Sequence, residues 1–93
     1  MEMIANAELI TETGEVFSLW YYLVRRENYF GIRAEKRCEN YLLEWDCIQC
    51  ICDSKEKTEN LIRILAKNTV TPFSMCEVLD EFLDAFYFMP QAV

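Results

Sequence analysis

The sequence predicts an α+β fold, a four-stranded antiparallel β-meander followed by two α-helices packed on one face of the sheet. Three observations carry this. The run Val16 to Val24, VFSLWYYLV, is interrupted only by Ser18 and is rich in the β-branched and aromatic residues that suit a pleated strand. Polar stretches at 12–14, 25–28 and 37–40 space the flanking segments so that one apolar face runs across all four strands. Two segments with cap signals and helical apolar spacing follow, at about 54–68 and 74–88. The sheet is expected over about 3–51, and the 93 residues are read as a single domain, 1–93.

Residues 3–10 form the first expected strand. Glu12-Thr13-Gly14 reads as a three-residue hairpin loop with Gly14 in the left-handed position. That loop pairs Leu9 with Phe17, Ala7 with Leu19 and Ala5 with Tyr21 on a first face, and leaves Ile4, Trp20 and Tyr22 on a second. A turn at Arg25-Arg26-Glu27-Asn28, with a loop of two residues or four, sets Val24 against Tyr29, Tyr21 against Ile32 and Leu19 against Ala34. On the second face it lays Tyr22 over Gly31 and Trp20 beside Arg33. A four-residue loop, Arg37-Cys38-Glu39-Asn40, pairs Ala34 with Leu43, Ile32 with Trp45 and Phe30 with Cys47, and opposes Arg33 to Glu44.

Asp53-Ser54-Lys55-Glu56 has the pattern of a capping box with Asp53 at the cap, and Thr58, Leu61, Ile62 and Leu65 form the stripe that follows. Thr71-Pro72 breaks the chain. Ser74-Met75-Cys76-Glu77 repeats the capping pattern, with Phe73 and Val78 placed as a hydrophobic staple. Met75, Val78, Leu79, Phe82, Leu83 and Phe86 recur at helical spacing, and Glu77, Asp80, Glu81 and Asp84 take the opposite side. The apolar tail Tyr87-Phe88-Met89-Pro90 is expected to dock on the domain or on a neighbour.

Composition narrows the function classes. An apolar fraction of 53% argues against disorder. A net charge of -7 disfavours direct nucleic-acid binding, whose affinity comes from Lys and Arg, and disfavours an anionic membrane surface. No apolar run reaches the ~18–20 residues of a membrane span, and the early acids of MEMIANAELITE do not make a signal peptide, so a cytoplasmic protein with reduced thiols is expected. Cys47-x-x-Cys50-x-Cys52 is the one metal-like spacing. On a strand Cys47 and Cys50 point to opposite faces, and the chain has no histidine, so no metal site and no cofactor are expected; Cys47 is read as core. Without histidine there is no Ser/His or Cys/His catalysis, and two glycines make no phosphate-binding loop, so the chain is not expected to be an enzyme.

What remains is surface. Two helices stacked on the first face leave the second one bare, an aromatic and apolar centre rimmed by charge, which is the composition of a protein interface. The expected binding residues are Trp20, Tyr22, Val24, Tyr29, Arg33, Glu44 and Ile48, with Ile4, Glu8 and Asp46 around them. The partner is read as a larger protein or a second copy forming a homodimer. The alternative reading places function on the acids Glu77, Asp80, Glu81 and Asp84, as a nucleic-acid mimic that inhibits a nuclease in the manner of anti-restriction or anti-CRISPR proteins.

With Tyr22 and Tyr29-Phe30-Gly31-Ile32 in the sheet, and Thr71-Pro72 followed by Val78-Leu79-Asp80-Glu81-Phe82-Leu83 at the end, the chain resembles a functionally uncharacterised family of small bacterial proteins over about residues 8–83. The resemblance implies an antiparallel sheet followed by two helices, and a cytosolic bacterial or mobile-element protein. It brings no active site, and the cysteine cluster is not part of it.

Overall fold

The structure is a computed structural model that describes the backbone of residues 1–88 and the side chains of residues 1–81. Its elements are β1 (Glu2–Ile10), β2 (Val16–Arg26), β3 (Tyr29–Cys38), β4 (Tyr41–Cys52), α1 (Lys55–Lys67) and α2 (Pro72–Phe88). The strands form one antiparallel sheet in the order β1-β2-β3-β4, so the α+β meander read from the sequence is the fold.

The first hairpin follows the sequence pattern. Leu9 pairs with Phe17, Ala7 with Leu19 and Ala5 with Tyr21. The Thr11 amide donates to the Glu15 carbonyl at 2.9 Å, and Gly14 holds the loop at φ 87°. Ile4 departs from expectation. It is the extra residue of a bulge between Met3 and Ala5, and it turns toward the core while Met3 joins the second face beside Tyr22.

The next two hairpins close with two-residue loops, Glu27-Asn28, one of the two lengths expected there, and Glu39-Asn40, where a four-residue loop is expected. In each the first loop residue, Glu27 or Glu39, takes the left-handed position at φ 56°. The β2–β3 register therefore moves by two. Tyr21 opposes Ala34, Tyr22 opposes Arg33, Trp20 opposes Glu35 and Val24 opposes Gly31. An even shift keeps every side chain on its expected face, because the strand repeat is two.

β4 behaves differently. Arg37 pairs with Leu42 but Lys36 pairs with Glu44, so Leu43 is an extra residue, and one extra residue exchanges the faces of everything beyond it. Trp45 and Cys47 move to the second face, opposite Glu35 and Arg33. Ile48 pairs with Ile32 and packs against the core, and Glu44 pairs with Lys36 on the first face. The expected places of Glu44, Asp46 and Ile48 on the second face, and of Trp45 and Cys47 on the first, are corrected by this bulge. A second irregularity sets Phe30 against Cys52 and Ile32 against Ile48. It loops Gln49, Cys50 and Ile51 past Gly31, with Cys50 at φ 59°.

Both helices cover the first face, α1 over β1 and β2 and α2 over β4 and β3. Ser54, not Asp53, caps α1 by accepting from the Lys57 amide at 3.2 Å. The stripe Thr58, Leu61, Ile62 and Leu65 is buried as expected. Helix α2 starts at Pro72, whose fixed φ and missing N–H suit a first helical position, so Ser74 lies inside the first turn rather than at the cap. Phe73 is 80% exposed and makes no staple. The core is Leu19, Tyr21, Leu23, Ile32, Ala34, Ile51, Leu61, Ile62, Leu65, Val70, Met75 and Leu79. Tyr21 ties the layers together, since its hydroxyl donates to the Val70 carbonyl at 2.6 Å in the connection between the helices.

Candidate functional site

Among the described residues no element covers the second sheet face. At its centre the register builds a cross. Glu35 of β3 lies between Trp20 of β2 and Trp45 of β4 across the strands, and between Arg33 and Arg37 along its own strand. Period-two spacing on β3 places the three charged side chains on one face in a row. Arg33 Nε donates to Glu35 Oε2 at 2.8 Å, and Arg37 Nε and Nη2 donate to Oε1 at 3.0 and 2.8 Å. Each guanidinium also sits over an indole, Arg33 at 4.4 Å from the Trp45 ring centre and Arg37 at 5.7 Å from that of Trp20. The Trp20 and Tyr22 rings are 6.5 Å apart and inclined by 32°.

Glu35 is 4% exposed although it lies on the open face, because the indoles and guanidiniums wall it in. Burial raises the pKa of its carboxyl, but the hydrogen bonds and charges of Arg33 and Arg37 outweigh burial and hold it below its ordinary value. Tyr22 is displaced upward, first by burial and then by the Glu35 charge. The sign of the linkage follows from Glu35. A carboxyl whose folded-state pKa is depressed stabilises the fold fully above its unfolded pKa, here 4.5, and that contribution is lost as pH falls through the lower folded value. Thermal scans from pH 7 to pH 3 are expected to show this acid limb, and Glu35→Gln should flatten it. At pH 7 the substitution should cost about 1 kcal/mol, since both arginines keep partial access to water. An acid limb of equal slope in Glu35→Gln would show that the carboxylate contributes nothing to stability.

Of the expected binding residues, Trp20, Tyr22, Val24 and Arg33 lie together on this face, and Tyr29 lies at its hairpin end opposite Arg26. Glu44 and Ile48 do not join them. Sequence reasoning missed Glu35, Arg37 and Trp45. The signal for the first two was present in the alternating run Arg33-x-Glu35-x-Arg37, whereas Trp45 was hidden by the bulge at Leu43.

A family model described as a family of unknown function (DUF6514) matches residues 1–85. The chain belongs to that family. No curated protein and no solved structure matches it. DUF6514 membership agrees with the resemblance to an uncharacterised family and assigns no role to any residue.

The remaining candidates of this DUF6514 chain are less organised. Among the described residues no three of the Cys, Asp and Glu side chains gather at metal-binding distance. Cys47 is not core; it lies beside Arg33 on the open face, and burial raises its thiol pKa despite the Arg33 charge. Glu77, Asp80 and Glu81 are exposed on α2, while the side chain of Asp84, the stripe residues Phe82, Leu83 and Phe86, and the tail Tyr87-Phe88-Met89-Pro90 fall outside the described side chains. A cleft of about 240 Å³ lies between Met1, Glu2, Leu23, Arg25, Phe30 and Lys55. Two of its side chains already have partners, Lys55 with Glu2 at 3.9 Å and Arg25 over the Phe30 ring at 5.7 Å. No helix among the described residues is long and apolar enough to cross a membrane.

Proposed function

We propose that this chain is a protein-interaction module that binds its partner through the open sheet face. The observation that carries this is a broad aromatic surface left uncovered by its own helices. Trp45 is 53% and Tyr29 50% exposed there, beside the part-buried Trp20, Tyr22 and Val24. Aromatic and Arg side chains at the middle of a patch are the residues whose truncation costs most at interfaces. Arg33 and Arg37 are already held by their ion pairs to Glu35, which leaves less side-chain ordering for binding to impose. The module is read as acting in the cytoplasm, without a cofactor, on a larger protein or on a second copy of itself.

The competing reading, an acidic mimic of nucleic acid, rests on Glu77, Asp80, Glu81 and Asp84, of which the first three are exposed on α2. The two readings separate by mutation. Light scattering at micromolar concentration tests for self-association, and photo-crosslinking from a probe at Trp45 identifies any other partner. Affinity is then measured for Trp20→Ala plus Trp45→Ala and for Glu77→Gln plus Asp80→Asn plus Glu81→Gln. The aromatic pair is expected to lose ~2 kcal/mol or more, and the acid set ~0–1 kcal/mol. Loss of binding in the acid set with binding retained in the aromatic pair would replace the sheet-face reading by the mimic.

A further inference from the structure

Resting on that reading, we infer that the open face recognises an acidic segment of a partner protein, taking a side-chain or C-terminal carboxylate between Arg33 and Arg37. The chain as a whole is strongly acidic, at -7, yet the middle of this face carries two guanidiniums against one carboxylate. It is therefore a locally cationic spot, and its charge complement is an anion of unit charge.

The two guanidiniums are prepared as donors. Arg33 spends only Nε on Glu35, which leaves both terminal nitrogens without an acceptor among the described residues, and Arg37 spends Nε and Nη2, which leaves Nη1. Among the described residues no buried side-chain nitrogen or oxygen lacks a hydrogen-bond partner, so these nitrogens are open to solvent. The indoles beneath fix the planes of the guanidiniums, and Glu35 fixes their direction. A planar fork held in this way suits a carboxylate, with charge-assisted bonds and little side-chain ordering left to occur. A phosphate monoester fits less well, because its second negative charge would face the Glu35 carboxylate with both guanidiniums already balanced. The Trp45 and Tyr29 surfaces beside the fork would receive apolar residues flanking the acid.

The test uses the whole protein and a random dodecapeptide display library. Selection on immobilised wild type should enrich peptides with Asp or Glu next to apolar residues. A synthetic copy of the most enriched peptide should lose at least tenfold in affinity when its acid becomes the amide. It should lose as much against Arg33→Gln plus Arg37→Gln, and less against Arg33→Lys plus Arg37→Lys, which keeps the charge and removes the fork. Peptides that depend on Trp45 but show no acidic bias and ignore the Arg variants would overturn this inference and leave the sheet-face reading standing. Selected peptides indifferent to Trp45→Ala, or no enrichment at all, would overturn both. Tighter binding of a single-stranded oligodeoxythymidine at the same residues would overturn the choice of an acidic protein segment.

Discussion

Gly31→Ala is expected to destabilise the protein by about 3 kcal/mol or more, a large share of the stability of a small domain. A Cβ at this position would overlap the Ile48 carbonyl oxygen and lie 2.8 Å from the Gln49 Cα. Both are backbone atoms of β4, so no rotamer change relieves the clash. Relief requires the segment Gln49–Ile51 to lift away, which would withdraw Ile51 from the core and strain the pairing of Phe30 with Cys52. The other glycine is the control. A methyl group added at Gly14 would meet nothing within 4 Å, and the constraint there is only the φ of 87°. Gly14→Ala should therefore cost about 1 kcal/mol through backbone conformation alone. Urea midpoints of the two variants give the comparison. A Gly31→Ala cost equal to that of Gly14→Ala would mean that β4 does not pass as close to β3 as described.

Tyr21→Phe should cost about 2 kcal/mol, and Tyr21→Ala about 3–5 kcal/mol, with no loss of secondary structure before unfolding. The ring is fully buried under the helices. Its hydroxyl bonds the Val70 carbonyl at 2.6 Å and approaches the Leu65 carbonyl at 3.4 Å, so deletion of one oxygen strands an acceptor at the junction of α1 and α2. The same residue predicts alkaline behaviour. Burial raises the hydroxyl pKa well above its ordinary value of 10.0. The folded state thus holds this proton more tightly than the unfolded state. Its contribution is complete below pH 10 and is lost as pH rises from there toward the folded value. Stability of the wild type is expected to fall above pH 10, and Tyr21→Phe should be less stable at pH 7 but fall less steeply in alkali. Parallel alkaline limbs in the two proteins would remove Tyr21 as the cause.

These two residues also mark how far the chain can be read without its fold. Tyr21 was legible as a core residue, since the β2 pattern places Leu19, Tyr21 and Leu23 on one face whichever even register the hairpin adopts. Gly31 was legible as a close-approach position, but not for the right neighbour. The two-residue loop at Glu27-Asn28 draws Val24 rather than Tyr22 opposite it, and the irregularity between Ile48 and Cys52 brings the β4 backbone against it.

By itself the sequence determined the α+β class, the order of four strands and two helices, the pairing of the first hairpin from Ala5 to Tyr21, and the helix stripe Thr58, Leu61, Ile62, Leu65. Each of these follows from local periodicity or from turn chemistry within a few residues, which a linear pattern records. Only the tertiary structure decided which face each β4 residue takes. A bulge is one residue whose place depends on how β4 packs against β3 and under α2, and the adjacent apolar pair Leu42-Leu43 carries no mark of which member is extra. That single residue removed Glu44 and Ile48 from the candidate surface and brought Trp45 to it. The surrounding register set Glu35 between two indoles and two arginines, an arrangement that exists only when three strands lie side by side.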